Sequence, residues 1–236
     1  RLNDDGSVDA GFDPGAGATG GDVLAVALQA DGRIIVCGDF TAFDGVPRNR
    51  IARLEADGAL DMSFDPGTGA NQDITCVVVQ PDGNILIGGH FYNFNSSAQI
   101  RIARLLSTGA LDPSFVTGDG AQYLVKDIAL QPDGRILVAG FFSTFNTVPR
   151  NGIVRLNTDG SVDTSFDPGT GADNVLTVDV LPDGRIVLAG GLSTFDGSPV
   201  RSVARLFSDG SLDASFDPGT GANGAIHDLA IQPDNE

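Results

Sequence analysis

The feature that most constrains this chain is an internal repeat of about 51 residues. The dipeptide Arg-Leu occurs at positions 1, 53, 104, 155 and 205, so successive copies begin 50 to 52 residues apart. A longer phrase, Arg-Leu-Asn-Thr-Asp-Gly-Ser-Val-Asp-Thr-Ser-Phe from position 155, returns in the other copies with few changes. The sequence therefore predicts one repeat domain over residues 1–236, with units at 1–52, 53–103, 104–154, 155–204 and 205–236, the last incomplete.

Each unit has the pattern of four short β-strands. In the first complete copy we expect strand a at Val23 to Gln29, strand b at Arg33 to Gly38, strand c at Arg50 to Glu55 and strand d at Ala59 to Phe64. β-Branched residues dominate strands a and b, and no segment keeps a 3.6-residue apolar period. The chain is therefore predicted to be all-β.

Short turns between these strands predict the register. The phrase Gln-Pro-Asp-Gly from Gln80 is typical of a three-residue hairpin loop, which sets Val79 opposite Ile85 and Val77 opposite Ile87. A variant of the same turn begins at Gln232. Positive φ is expected at the glycines of the Asp-Gly turns: Gly32, Gly58, Gly83, Gly134, Gly160 and Gly184.

The turn between strands c and d brings opposite charges face to face. It pairs Leu54 with Leu60 and so places Arg53 across from Asp61. A pair that recurs in every unit indicates a structural role, worth a few tenths to about 1 kcal/mol each. The equivalent pairs are Arg104 with Asp112, Arg155 with Asp163, and Arg205 with Asp213.

Strand b is apolar on both faces, as in residues 136–139 (Ile-Leu-Val-Ala), so other layers must cover both sides of its sheet. Sheets stacked around an axis meet that need. The predicted fold is a β-propeller of about five four-stranded antiparallel blades, or a segment of a larger propeller. An open stack of β-hairpins is the alternative.

The repeated phrases, together with Gln-Pro-Asp-Gly-Arg-Ile-Leu-Val-Ala-Gly from Gln131, resemble the delta-60 repeats, a family of bacterial β-propeller repeats. The resemblance covers essentially the whole chain. The third unit departs most, with Val-Thr-Gly-Asp-Gly from Val116 in place of Asp-Pro-Gly-Thr-Gly. The resemblance implies a propeller in a large secreted or surface-associated bacterial protein, and it implies no reaction.

Charge narrows the partners. The formal net charge is −17, so nucleic acid and anionic lipid surfaces are disfavoured, and no apolar run is long enough for membrane insertion. The excess of acidic residues is explained most simply by solubility and by the aspartates of Asp-Gly turns. The more specific interpretation is that some of these carboxylates bind calcium. The candidate calcium ligands lie in the loops from strand d to strand a: Asp65, Asn71, Asp167, Asp173, Asp217 and Asn223.

Catalysis on a repeat scaffold requires unlike groups at one point. Strand a is innermost in a propeller, and its variable positions place Lys126, Asp127, His227 and Asp228 as candidates for a polar cluster lining the channel, unless they are simply solvated strand ends. His90 and His227 lie in separate units, and no nucleophile elbow, His-Glu-x-x-His or Walker phrase occurs. Cys37 and Cys76 are expected to be buried thiols.

The expected function is therefore a non-catalytic, secreted or cell-surface binding or structural module that meets a protein or glycan partner. The alternative is a lyase or hydrolase at the mouth of the channel. The loops from d to a and from b to c are expected on one face, which is the predicted ligand surface. Residues Ile226 to Gln232 form a strand a without its partner, which predicts that a longer parent chain or a second subunit fills the gap.

Overall fold

The computed structural model describes residues 1–232, and the turn predicted after Gln232 lies outside them. Within these residues the chain forms 21 strands and no helix. Correspondingly, no described segment is a helix long and apolar enough to cross a membrane.

Four similar three-stranded antiparallel sheets follow one another along the chain. Their inner strands are β2 (Val23–Leu28), β7 (Ile74–Val79), β12 (Val125–Leu130) and β17 (Val175–Val180). Their middle strands are β3 (Ile34–Gly38), β8 (Ile85–Gly89), β13 (Ile136–Gly140) and β18 (Ile186–Gly190). Their outer strands are β6 (Ile51–Leu54), β11 (Ile102–Leu105), β16 (Ile153–Leu156) and β21 (Val203–Leu206).

Short strands complete each unit between the middle and outer strands. They pair as β4 with β5, β9 with β10, β14 with β15 and β19 with β20, and β1 joins the first of these hairpins. The strands are β1 (Ala18–Thr19), β4 (Ala42–Phe43), β5 (Val46–Pro47), β9 (Asn93–Phe94), β10 (Ser97–Ala98), β14 (Thr144–Phe145), β15 (Val148–Pro149), β19 (Thr194–Phe195) and β20 (Ser198–Pro199).

The register between inner and middle strands is the predicted one. Val79 lies opposite Ile85 and Val77 opposite Ile87. All six Asp-Gly turn glycines have positive φ, between 84° and 99°. A bulge after the first residue of each inner strand was not predicted, and it shifts the register at Leu24, Thr75, Lys126 and Leu176.

Strand d is shorter than predicted. Instead of a strand from Ala59 to Phe64, the fourth element forms a single bridge, Leu54 with Leu60, and the other units do the same. The reason is local, because Asp61 Oδ1 accepts the backbone N–H of Ser63 at 2.8 Å and bends the chain into a turn. Ile226 to Gln232 also form no strand, and Ile226 N–H donates only to the Gly190 carbonyl at 3.1 Å.

The core lies between neighbouring sheets. Ile35 and Cys37 on the middle strand of the first sheet share one buried cluster with Ile85 and Ile87 of the second. The same face-to-face packing joins the second sheet to the third and the third to the fourth. Inner strands contact one another in sequence order, from β2 to β7, β12 and β17. Cys37 and Cys76 are free and buried within these layers.

An arginine in each of the first four units contacts the following unit. The Arg53 Nε lies 2.7 Å from Asp61 Oδ2, and its Cζ is 4.8 Å from the centroid of the Phe64 ring. The Arg53 Nη1 donates to the Ser107 carbonyl of the following unit at 2.5 Å. We call this set of contacts the arginine clamp. It recurs around Arg1, Arg104 and Arg155, whose Nη1 atoms donate to the carbonyls of Ala56, Thr158 and Ser208.

Two clamps differ in the contact with the next unit and provide a matched comparison. Arg155 and Arg205 each lie 2.8 Å from their aspartate, but the Arg155 side chain is 5% exposed and that of Arg205 is 19% exposed. We expect Arg155→Met to lower the free energy of unfolding by about 3 kcal/mol, because it removes the nearest partner of the buried Asp163 carboxylate and the donor to the Ser208 carbonyl. Arg205→Met also removes the nearest partner of a buried carboxylate, Asp213, but Arg205 is itself more exposed, and this change should cost less. Urea unfolding monitored by circular dichroism measures both, and equal costs would contradict the clamp.

The clamp carboxylates also predict the response to acid. Burial raises the pKa of Asp61, but hydrogen bonds from Ser63 and Arg53 outweigh it and lower that pKa to about 2. A depressed carboxyl pKa stabilises the fold above its unfolded value of about 3.9, and the contribution is lost as the pH falls through the folded value. We expect the urea midpoint to fall between about pH 4 and pH 2, and to fall less in Asp61→Asn. A midpoint independent of pH over this interval would refute the assignment.

Candidate functional site

Both classes of connection lie on one face of the protein, as the sequence predicts; we call it the loop face. The loop that leads into β7 pairs with the following hairpin, since Asn95 N–H donates to the Gly69 carbonyl at 2.9 Å. Side chains reinforce the contact. Asn95 Oδ1 accepts the Thr68 N–H at 3.2 Å, and Asp196 Oδ1 accepts the Thr170 N–H at 2.8 Å. Each hairpin is therefore held against the loop that precedes its blade.

The predicted calcium ligands serve the loops themselves. Asp65, Asp167 and Asp217 each accept, through Oδ1, the backbone N–H two residues later at 2.8 to 3.0 Å. Asn71 Oδ1 accepts hydrogen bonds from two backbone N–H groups at 3.0 Å, and Asp173 Oδ1 accepts one from the Asn151 side-chain amide at 3.0 Å. Asn223 is exposed. Among residues 1–232 no group of three or more His, Cys, Asp or Glu side chains is placed to hold a metal ion. Calcium binding stays a prediction.

Asp127 connects two blades. Its Oδ2 accepts the Thr177 hydroxyl and the Val178 N–H, each at 2.9 Å, and its Oδ1 accepts the Ile128 N–H at 2.8 Å. Burial raises the pKa of Asp127, and the nearby Asp228 carboxylate adds to the rise, against the lowering effect of these three hydrogen bonds. Thr75 makes a similar link, because its hydroxyl donates to the Val125 carbonyl at 2.9 Å.

The other predicted channel residues are dispersed. His227 and Asp228 are exposed on the segment after the fourth sheet, where Asp228 Oδ1 accepts the Leu229 N–H at 2.9 Å. Lys126 is the bulged residue of β12, and its Nζ lies 5.6 Å from the centroid of the Phe141 ring. Asp127 and Asp228 are close enough to interact electrostatically. His90 Nδ1 is 3.3 Å from Asp73 Oδ2 at the start of β7.

Three aromatic residues on the loop face were not identified from the sequence. Tyr92 and Tyr123, the two tyrosines of the chain, are exposed, and Phe141 is half-buried. At the positions equivalent to Tyr92 the other units carry Thr41, Ser143 and Ser193. The signal was present in the sequence, because alignment of the units shows these aromatics as exceptions to the repeat.

Arg101 lies between the two tyrosines. Its Nη2 donates to the Tyr92 hydroxyl at 2.8 Å and its Nη1 to the Ala121 carbonyl at 2.8 Å. The Cζ of Arg101 is 4.5 Å from the Tyr92 ring centroid and 6.0 Å from that of Tyr123. A guanidinium between two rings restrains both, so the aromatic surface is held in place.

Tyr123 and Phe141 line a surface cavity of about 420 Å³ between the third and fourth blades. Its polar lining includes Gln122, Asn151, Asp173 and Asn174. Since Ser143 donates to Gln122 Oε1 at 2.7 Å and Asn151 donates to Asp173, the polar groups are ordered by one another. This cavity, which we call the tyrosine pocket, combines aromatic rings with hydrogen-bonding side chains, as ligand sites do.

The role of Asp127 can be separated into acceptor and charge. We expect Asp127→Ala to lower the free energy of unfolding by about 1 to 3 kcal/mol, because the Val178 N–H loses its acceptor. Asp127→Asn keeps an acceptor and removes the buried charge. Since the pKa of Asp127 is raised, the charge costs stability as the pH rises above about 4, but the amide nitrogen of asparagine would face one of the N–H donors that Asp127 now binds. The asparagine variant should therefore lose less stability than the alanine variant at pH 7. A loss as large as that of the alanine variant, measured by urea unfolding, would show that the charge itself is required.

Solved structures share this fold at low sequence identity. A gluconolactonase from Xanthomonas campestris superposes with a TM-score of 0.51 and 22% identity, over 89% of this chain and 65% of that one. The extracellular domain of a B. thetaiotaomicron protein described as a one component system superposes with a TM-score of 0.54 and 15% identity, over 93% of this chain and 25% of that one. An inactive variant of virginiamycin B lyase from Staphylococcus aureus, solved with quinupristin, has a TM-score of 0.49 and 15% identity, over 81% of this chain and 54% of that one.

The chain thus spans less than two thirds of the length of the lyase and the gluconolactonase. No curated protein matches its sequence. A family model described as Domain of unknown function (DUF5122) beta-propeller matches residues 29–64, 80–115, 131–166 and 181–216, together more than half of the chain. Each matched segment runs from the turn after an inner strand to the phenylalanine of an arginine clamp. The chain therefore belongs to this family of β-propeller repeats.

Proposed function

We propose that the chain is a non-catalytic binding and structural module of a secreted or cell-surface protein, and that it binds its ligand on the loop face. The observation that carries the proposal is where the repeat symmetry breaks. The unlike side chains gather as exposed aromatics around Arg101, not as a nucleophile with its base. A location outside the cell is supported by the sequence similarity to the delta-60 repeats.

The polar groups of the inner strands support a structural role for that region. Asp127 already accepts three hydrogen bonds, two of them from the neighbouring blade. A general base needs a lone pair directed at substrate, and these contacts direct the carboxylate into the protein instead. Likewise, the clamp carboxylates accept from arginine and serine within their own units.

The alternative, a lyase or hydrolase at the channel mouth, has one observation in its favour. Asp127 has a raised pKa and interacts with Asp228, which is an environment that active-site acids share. Such an enzyme would lose its turnover in Asp127→Asn while remaining folded. That result would overturn the proposed function.

Self-association through the first blade is part of the proposal. Val26 and Leu28 on β2 are 64% and 72% exposed, whereas Ile128 and Val178, the equivalents of Val26, are 3% and 4% exposed. In those blades the preceding sheet covers the position. Apolar side chains on an uncovered sheet face favour a further layer. We propose that a second copy of the chain contributes it, and a further stretch of a longer parent chain is the alternative.

Light scattering at several concentrations tests this surface. We expect the wild type to exceed the monomer mass of 24.3 kDa, and the double variant Val26→Asp/Leu28→Asp to remain at it, because the charges oppose burial of the face. Val116→Asp is the control, since Val116 is also 64% exposed but lies in a loop between units. A wild type that is monomeric at every concentration, or an equal effect of Val116→Asp, would refute self-association.

A further inference from the structure

The fold does not require the aromatic residues of the tyrosine pocket. Tyr123 is 58% exposed, and its equivalents in the other units are Gly21, Gln72 and Asp173. The equivalents of Phe141 are Asp39, His90 and Gly191. By contrast, the buried ring at Phe43 is a phenylalanine in all four units. Positions that the scaffold fills with any residue are available for ligand recognition.

The groups in the tyrosine pocket match the chemistry of sugars. A pyranose presents a C–H face that packs on an aromatic ring, and Tyr123 and Phe141 offer two such rings. Each sugar hydroxyl both donates and accepts hydrogen bonds. The side-chain amides of Gln122, Asn151 and Asn174 around the cavity also offer both functions, and Asp173 adds an acceptor. The cavity lining therefore mixes polar side chains with the two rings, unlike the apolar centre of a protein–protein interface.

Charge narrows the class of sugar. The chain carries a net −17, and the pocket contains the Asp173 carboxylate. The guanidinium of Arg101 is buried and donates to Tyr92 and to the Ala121 carbonyl, so it is not free to bind a carboxylate or sulfate. Lys126, whose Nζ lies 5.6 Å from the Phe141 ring centroid, adds one positive charge, which the Asp173 carboxylate offsets. Anionic polysaccharides would be repelled, whereas neutral ones would not.

We infer that the tyrosine pocket binds a neutral glycan, with Tyr123 and Phe141 stacking on the sugar rings and Gln122, Asn151, Asp173 and Asn174 binding its hydroxyls. This inference rests on the proposed function, because it takes the loop face as the ligand surface. The occupant is a hydroxyl-rich, uncharged saccharide, since the cavity of about 420 Å³ is open and borders two aromatic rings as well as polar side chains.

Native affinity electrophoresis of the whole chain tests the inference, with barley β-glucan, xyloglucan, glucomannan and hydroxyethylcellulose as neutral probes and polygalacturonate as the anionic probe. At least one neutral polysaccharide is expected to retard the wild type. Tyr123→Ala and Phe141→Ala should each weaken binding about tenfold, the loss of one stacking contact. Tyr123→Phe keeps the ring and should retain most of the affinity.

Phe207→Ala is the matched control, because Phe207 is an exposed aromatic in a turn far along the chain from the pocket, and it should bind as the wild type does. Thermal melts monitored by circular dichroism establish whether each variant is folded. If Phe141→Ala does not fold, Tyr123→Ala alone tests the site. Retardation by no neutral probe, by polygalacturonate only, or to the same extent in folded Tyr123→Ala would overturn the glycan site. If self-association through Val26 and Leu28 persists in that case, the proposed module stands and only the ligand class fails.

Discussion

The interaction on which the rest of the structure depends is the arginine clamp. In each clamp one guanidinium, such as that of Arg155, binds an aspartate and stacks on a phenylalanine of its own unit. The same guanidinium donates to a backbone carbonyl of the next unit. The fourth strand of each blade is reduced to a single bridge, so the backbone ladder alone holds that element weakly. The clamp replaces the missing ladder, and because it crosses the blade boundary it also sets the spacing between sheets.

A scaffold built this way places strict demands on some positions and few on others. Arginine, aspartate and phenylalanine recur in every clamp, with serine in all but the first, where Gly11 stands instead. The bulged inner strands and loop-face hairpins recur with them. The positions of Tyr92, Tyr123 and Phe141 vary freely from unit to unit. Departures from symmetry at such positions are where a repeat protein acquires a specific surface. Here Tyr92 and Tyr123 lie beside Arg101, and Phe141 lines one cavity with Tyr123.

Much of the fold could be predicted because turn phrases and the pattern of apolar residues along each strand determine structure locally. The Pro-Asp-Gly phrase specified the register of Val79 with Ile85, and the Leu54–Leu60 bridge followed from the next Asp-Gly turn. The end of strand d could not be predicted, because it depends on a side-chain contact from Asp61 to Ser63 that competes with the ladder. The candidate site was missed for a different reason. Sequence shows only the polar character of Lys126, Asp127, His227 and Asp228, whereas a bulge and blade-to-blade hydrogen bonds decide where such groups lie.

Native-state hydrogen exchange measured by NMR tests most directly whether the clamps join the blades into one cooperative unit. Beside three of the clamps, the amides of Asp65, Val116 and Asp167 donate across a blade boundary, each at 2.8 Å, to the carbonyls of Thr108, Asp159 and Asp209. The account predicts that these loop amides exchange with opening free energies close to those of the β8 and β13 amides, because a boundary opens only when the blades separate. Exchange at the rate of exposed turn amides such as that of Ser161 would contradict it.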